Sequence, residues 1–217
     1  MRLLIVLVIV ILFCQLTYLS AGIRYSHHDF SGSSWANFEI CIPCHTPHNA
    51  NQDIINGTLW NHQNTTSTYQ TYTSSTLNAT VGQPGGISKL CLSCHDGTIA
   101  IDSYGGTTSG TLFMTTGSFG TDMRNQHPIS FEYSTSLANA DGGLRDPATQ
   151  SSGLGGTIAQ DLLVNNKLEC ISCHDVHVHR NNSGCTGCHT IHPMQTKTLS
   201  LRKSNDGSAL CLTCHIK

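Results

Sequence analysis

The chain has 217 residues, of which 38% are hydrophobic, 6% aromatic and 11% charged. Its formal charge of -2, from 11 basic and 13 acidic residues, excludes the basic balance expected of a protein that binds nucleic acid. Apolar side chains are too few for a large conventional core, so something else must fill the interior.

The chain begins with Met1-Arg2 and the apolar run LLIVLVIVILF, and small residues follow at positions 20–22. This pattern predicts a secretory signal peptide over residues 1–21, followed by one domain over residues 22–217. The alternative is a retained anchor, but polar residues interrupt the run before it reaches the roughly 20 apolar residues of a spanning helix. We therefore predict export to the extracellular space or cell surface.

Ten of the eleven cysteines form five C-x-x-C pairs, and a histidine follows every pair directly. A disulfide framework or a set of zinc ribbons would explain the pairs but not the histidines. At the overall frequency of histidine, five such matches have a chance of about one in a million. We number the motifs in chain order: motif 1, Cys41, Cys44 and His45; motif 2, Cys91, Cys94 and His95; motif 3, Cys170, Cys173 and His174; motif 4, Cys185, Cys188 and His189; motif 5, Cys211, Cys214 and His215.

C-x-x-C-H is the attachment signature of c-type haem. The two thiols can form thioethers with the two vinyl groups of one porphyrin, and the next imidazole then becomes the proximal ligand of the iron. Five motifs predict five covalent haems, with proximal ligands His45, His95, His174, His189 and His215. Attachment takes place outside the cytoplasm, in agreement with the predicted signal peptide.

Five haems leave about 39 residues for each, too few for separate helical domains, so the haems must pack against one another. The predicted fold is a haem-packed multihaem cytochrome, mostly loops with short helices and few short strands, and with little conventional hydrophobic core. Short helices are expected mainly at the motifs. A further short amphipathic helix is predicted over residues 158–168, before motif 3.

Eight histidines remain as candidates for the distal position. His48, His177 and His192 each follow a proximal histidine by three residues, a spacing that places both imidazoles on one helical face. The second imidazole therefore cannot bind the same iron from the opposite side, and we expect it to bind a neighbouring haem. His127 is favoured for another iron, and His62 is a rival for the remaining one. We expect mostly or only bis-histidine haems, which suit electron transfer and not catalysis.

The motifs carry a wider resemblance. HDFSG, CIPCHTPHNAN, CLSCHDGTIAIDSYGG, HPISF and LECISCHDVH resemble segments of the OmcE-like multihaem cytochromes that polymerise into extracellular nanowires, from about residue 25 to the end. The resemblance implies a homopolymer with stacked haems, in which His28 is donated to an iron of the adjacent subunit. A ligand given in this way makes the contact head-to-tail and the polymer open. Those proteins carry four haems, and motif 4 is the departure from their pattern.

Three functions are compared. The leading one is extracellular electron transfer along a filament, toward redox partner proteins or extracellular acceptors. The second is a monomeric periplasmic electron shuttle, in which His28 would bind within its own chain or not at all. The third is a multihaem reductase, which needs an open iron. All five motifs end in histidine and eight further imidazoles are available, so the third function is disfavoured.

Overall fold

The computed structural model describes residues 23–24, 26–54, 57–177 and 200–216. The predicted signal peptide over residues 1–21 lies outside these ranges. So do motif 4, with Cys185, Cys188 and His189, and the candidate distal ligand His192. These assignments stay predictions.

Loops make up most of the described chain. Its regular elements are α1, Gly86–His95; β1, Phe131–Glu132; α2, Thr135–Asp141; α3, Ile158–Asp161; β2, Lys167–Leu168; α4, Cys170–Cys173; and α5, Cys211–Cys214, with short 3-10 turns at Ser34–Ala36 and Asp206–Ser208. The two strands pair antiparallel, with Phe131 opposite Leu168. The predicted architecture of loops with short helices and few strands is therefore found. No helix in the described ranges has both the length and the apolar character needed to cross a membrane.

Helices form at three of the four described motifs. Motif 2 ends α1, whereas α4 and α5 are single turns made by motifs 3 and 5. Motif 1 also closes one turn, because His45 N donates to Cys41 O at 2.8 Å. The chain then leaves the helical path, since Thr46 N donates to Leu59 O at 2.9 Å. Short helices are predicted mainly at the motifs, and they are found at motifs 2, 3 and 5, whereas motif 1 is a single turn outside the helices.

The helix predicted over residues 158–168 is much shorter than expected. Thr157 forms a capping box with Gln160 and starts α3, but α3 ends at Asp161. Asn165 and Asn166 adopt positive φ angles of 50° and 62°, a left-handed conformation that asparagine tolerates better than most residues. They turn the chain into β2, so that Leu168 lies in a strand and not in a helix.

The described hydrophobic core has fifteen buried residues, and nine of them form two small clusters. The first contains six buried residues, Phe131, Tyr133, Ala138, Ile158, Leu162 and Leu168. The second contains three buried residues, Tyr69, Leu92 and Met123. Several large apolar side chains in or near the motifs stay exposed to solvent, among them Phe38, Ile42, Leu59, Phe119 and Leu212. The small core and these exposed side chains leave apolar surface available for porphyrins.

Candidate functional site

Three pairs of histidine rings lie close together, and each pair joins a motif histidine to a histidine from another part of the chain. The pairs are His45 with His177, His95 with His28, and His215 with His127. Their ring centroids are 6.1 Å, 5.9 Å and 6.2 Å apart, in this order. They bring motifs 1, 2 and 5 together with three of the candidate distal ligands.

The spacing of these pairs matches two imidazoles on opposite sides of one metal ion. With metal–nitrogen distances of about 2.0 Å, two axial imidazoles place their ring centroids about 6 Å apart. The angles between the ring planes are 27°, 51° and 75° in the same order. Rings that share one axis can rotate about it, so all three angles are compatible with axial ligation.

Backbone carbonyl groups fix the orientation of one ring in each pair. Nδ1 lies 2.8 Å from Thr58 O in His45, 2.8 Å from Gly117 O in His95, and 2.9 Å from Pro128 O in His127. A carbonyl oxygen can only accept, so the proton must lie on Nδ1 and the lone pair on Nε2. These carbonyl groups thus select the tautomer that can bind iron through Nε2.

The pair at motif 1 is anchored on both sides. His177 Nδ1 lies 3.3 Å from Asp175 Oδ1, so both rings of this pair have Nδ1 engaged. His177 comes three residues after His174 of motif 3, yet its ring stacks with His45 of motif 1. A contact of this kind, between a histidine that follows one motif and the histidine of another motif, is what the three-residue spacing predicts.

His28 lies beside His95 of its own chain. The side chain is partly buried, and burial, together with the nearby imidazoles His95, His27, His174 and His177, lowers the pKa of His28 to about 4. His28 is therefore neutral near pH 7, which is the form that binds a metal. The resemblance implies donation of His28 to another subunit, whereas the contact in this structure is within one chain.

His62 and His48, the other described distal candidates, lie in no histidine ring pair within the described ranges. His62 is buried, with Nδ1 2.9 Å from Gln63 O and Nε2 3.1 Å from Ala100 O. Its Nε2 also lies 3.6 Å from the thiol of Cys94 in motif 2. His48 is exposed. Ligation of an iron by either residue stays a prediction.

The described motif cysteines are partly buried, except for Cys41, which is exposed. Burial raises the pKa of Cys44 to about 11, of Cys94 to about 12 and of Cys214 to about 11. Cys170 differs from these three, because its contact with Cys91 lowers its pKa. The eight described motif cysteines form no disulfide.

Motifs 1, 2 and 3 lie next to one another. The thiol of Cys91 in motif 2 forms a hydrogen bond with the thiol of Cys170 in motif 3, and this contact is the largest cause that raises the pKa of Cys91. The segment from Thr58 to Thr65 joins motifs 1 and 2, because Asn61 N donates to Cys44 O and Thr65 N donates to Ser93 Oγ, both at 2.9 Å. Haems attached at these three motifs would therefore be neighbours.

Two polar side chains of this connecting segment lack partners. Trp60 Nε1 and both amide atoms of Asn64 are buried and make no hydrogen bond. A buried polar group without a partner costs free energy, so such groups usually mark a missing ligand or water. Trp60 and Asn64 lie on either side of His62, between motifs 1 and 2.

A buried carboxylate, missed by the sequence analysis, holds motif 2 in place. Asp96 directly follows His95 and accepts hydrogen bonds from Thr65 Oγ1 at 2.6 Å and Tyr69 OH at 2.7 Å. It also accepts from the backbone and hydroxyl of Thr98. Burial alone would raise the pKa of Asp96, but these hydrogen bonds outweigh it and keep the pKa below its usual value. The signal in the sequence was an acidic residue next to a motif in a chain poor in charge.

Asp96→Asn is expected to destabilise the haem-loaded protein by about 1–3 kcal/mol, because an amide accepts these hydrogen bonds more weakly and brings two unpaired donors into a buried site. Denaturant unfolding would measure the change. Asp122→Asn is the matched control, since Asp122 is exposed and its carboxylate accepts hydrogen bonds from Arg124. Equal unfolding midpoints for the two variants would contradict the anchoring role of Asp96.

A scan against protein-family models and a search of curated proteins both find no match for this chain.

Proposed function

We propose that the chain is a five-haem c-type cytochrome whose function is electron transfer. The observation that carries this proposal is the set of three histidine pairs. Each pair joins the histidine of a C-x-x-C-H motif to a second imidazole at the spacing that an iron between them would require.

Different residues of the chain would attach the haems, ligate their irons and orient the ligands. The paired thiols would attach each porphyrin, and the histidine pairs at motifs 1, 2 and 5 would give three of the irons two imidazole ligands each, with no open position for a substrate at those irons. The carbonyl groups of Thr58, Gly117 and Pro128 fix the imidazole tautomers. The bound haem supplies an iron that changes between the ferric and ferrous states, and the chain sets its spacing, exposure and surroundings.

The arrangement of donor groups fits haem better than zinc. A structural or catalytic zinc site needs at least three protein ligands. Haem iron needs only two protein ligands, in agreement with the histidine pairs. Haem propionates would also supply acceptors for the unpaired donors of Trp60 and Asn64.

The electron carrier could take either of two forms. The filament, our leading proposal, is supported by the sequence resemblance and would be a head-to-tail homopolymer with an inter-subunit histidine. The contact of His28 with His95 within one chain supports the second form, a self-contained shuttle. A filament that uses His28 as the donated ligand requires a neighbouring subunit to replace this contact.

Spectroscopy of the exported protein tests the electron-transfer proposal. We expect low-spin haem in electron paramagnetic resonance and optical spectra, and reversible oxidation and reduction without added substrate. A large high-spin fraction that binds small anions would contradict the proposal and favour a reductase.

Cryo-electron microscopy of the same material separates the two forms. Helical filaments with five porphyrins in each repeat, and with His28 on the iron of a neighbouring subunit, would support the nanowire. Discrete particles with His28 paired to His95 of the same chain would support the shuttle and contradict polymerisation.

A further inference from the structure

A second buried carboxylate lies between motifs 2 and 3. Glu169 directly precedes Cys170 and is 3% exposed. Its Oε2 accepts a hydrogen bond from the hydroxyl of Ser88, which lies in α1 one turn before Cys91. The thiols of Cys91 and Cys170 are themselves in contact. Glu169 therefore lies where the two attachment motifs meet.

The carboxylate of Glu169 receives hydrogen bonds through two short relays. In the first, Cys170 N donates to Ser88 Oγ at 2.9 Å, which directs the hydroxyl proton of Ser88 to Glu169. In the second, Gly85 N donates to Ser130 Oγ at 3.2 Å, and Ser130 donates to Glu169 Oε2 at 2.9 Å. Glu169 also precedes the first turn of α4, where its backbone N–H donates to Ser172 Oγ at 2.9 Å. The partners of its carboxylate, Ser88 and Ser130, are both donors, which is the arrangement that an ionised carboxylate requires.

The backbone of α1 is built closely around this carboxylate. Gly86 adopts a φ angle of 51°, and a Cβ at this position would lie only 3.2 Å from Glu169 Oε1. The glycine thus permits both the left-handed conformation and the close approach. Glu169 contacts the first turn of α1 and is the N-cap of α4, so it lies at the positive ends of both motif helices.

No cation neutralises Glu169 through an ion pair in the described part of the chain, where the ion pairs are Arg124 with Asp122 and His177 with Asp175. A buried carboxylate is costly unless hydrogen bonds compensate it. A protein that needed only to join two helices here could use a neutral side chain. The retained negative charge therefore points to a role in the electrostatics of the two motifs.

We propose that Glu169 lowers the reduction potentials of the haems attached at motifs 2 and 3. This inference rests on the proposed function. A fixed negative charge in a buried site stabilises the ferric state, which carries one more positive charge than the ferrous state, and so disfavours reduction. Glu169 would act on the irons through its charge alone, since it contacts the motif helices and not the iron ligands.

Glu169→Gln tests the proposal, because glutamine keeps the shape and one acceptor but removes the charge. In a spectroelectrochemical titration of the five-haem protein, we expect two components to shift to higher potential while the others stay in place. Glu132→Gln is the matched control: it makes the same chemical change at an exposed position of β1 and should leave every component unchanged. Equal potentials in the parent and Glu169→Gln would overturn the inference.

A second variant tests the proposal if Glu169→Gln cannot be produced with all five haems. Ser130→Ala removes one hydrogen-bond donor but keeps the charge, so at a pH well above the range of carboxyl groups the same two components should shift to lower potential. Unchanged potentials in Ser130→Ala would then overturn the inference. Intact mass reports haem loading separately. A parent chain without haem contradicts the proposed function. Haem-loaded variants with the same potentials as the parent contradict only the role of Glu169.

Discussion

Without its haems, the chain is expected to stay unfolded. The described core contains fifteen buried hydrophobic residues, and nine of them form two clusters, one of six around Phe131 and one of three around Tyr69. Ordering a backbone costs about 1–2 kcal/mol for each residue, and clusters of this size cannot offset that cost over such long loops. The apolar faces of five porphyrins would supply the missing buried surface.

The haem-free chain can be produced in a host that lacks the apparatus for c-type haem attachment. Far-ultraviolet circular dichroism and hydrogen exchange should then show an unfolded chain with no cooperative melting, whereas the haem-loaded chain from a competent host should melt cooperatively. A haem-free chain that melts cooperatively and protects its amides would show that the haems are not the core.

His127→Ala is expected to convert one of the five irons from low-spin to high-spin. The ring of His127 pairs with the proximal His215 at 6.2 Å, and its Nδ1 is held by Pro128 O. Removal of this imidazole opens one axial position of the haem at motif 5. The high-spin signal should account for about one fifth of the total haem, because five motifs predict five irons.

Electron paramagnetic resonance of the oxidised protein measures this change, and added imidazole should restore the low-spin signal. Asn125→Ala is the control, because Asn125 is an exposed neighbour on the same loop. A wholly low-spin spectrum for His127→Ala, identical to that of the control, would contradict the pairing of His127 with His215.

The local parts of the site could be predicted because they depend on short spacings. Motifs 3 and 5 form single helical turns, since His174 N and His215 N bond to Cys170 O and Cys211 O. The three-residue spacing of His174 and His177 also indicates a contact between motifs, and the structure brings His177 to motif 1. In such cases the geometry of one helical turn is sufficient.

The remaining features depend on contacts between distant segments. His28 reaches His95 over 67 positions of the numbering, and Glu169 meets Ser88 over 81. A sequence separation of this length does not specify which motif, or which copy of the chain, a side chain will contact. The short α3 is a similar case: its apolar pattern continues past Asp161, but the asparagine turn and the pairing of Leu168 with Phe131 decide the conformation.

Intact-mass spectrometry of the exported protein is the most direct test of the central claim. The claim predicts the mass of the processed chain plus five haems, all retained after denaturation because thioether bonds hold them. A mass without haem, with the ten motif cysteines in disulfides or released from zinc by a chelator, would contradict it.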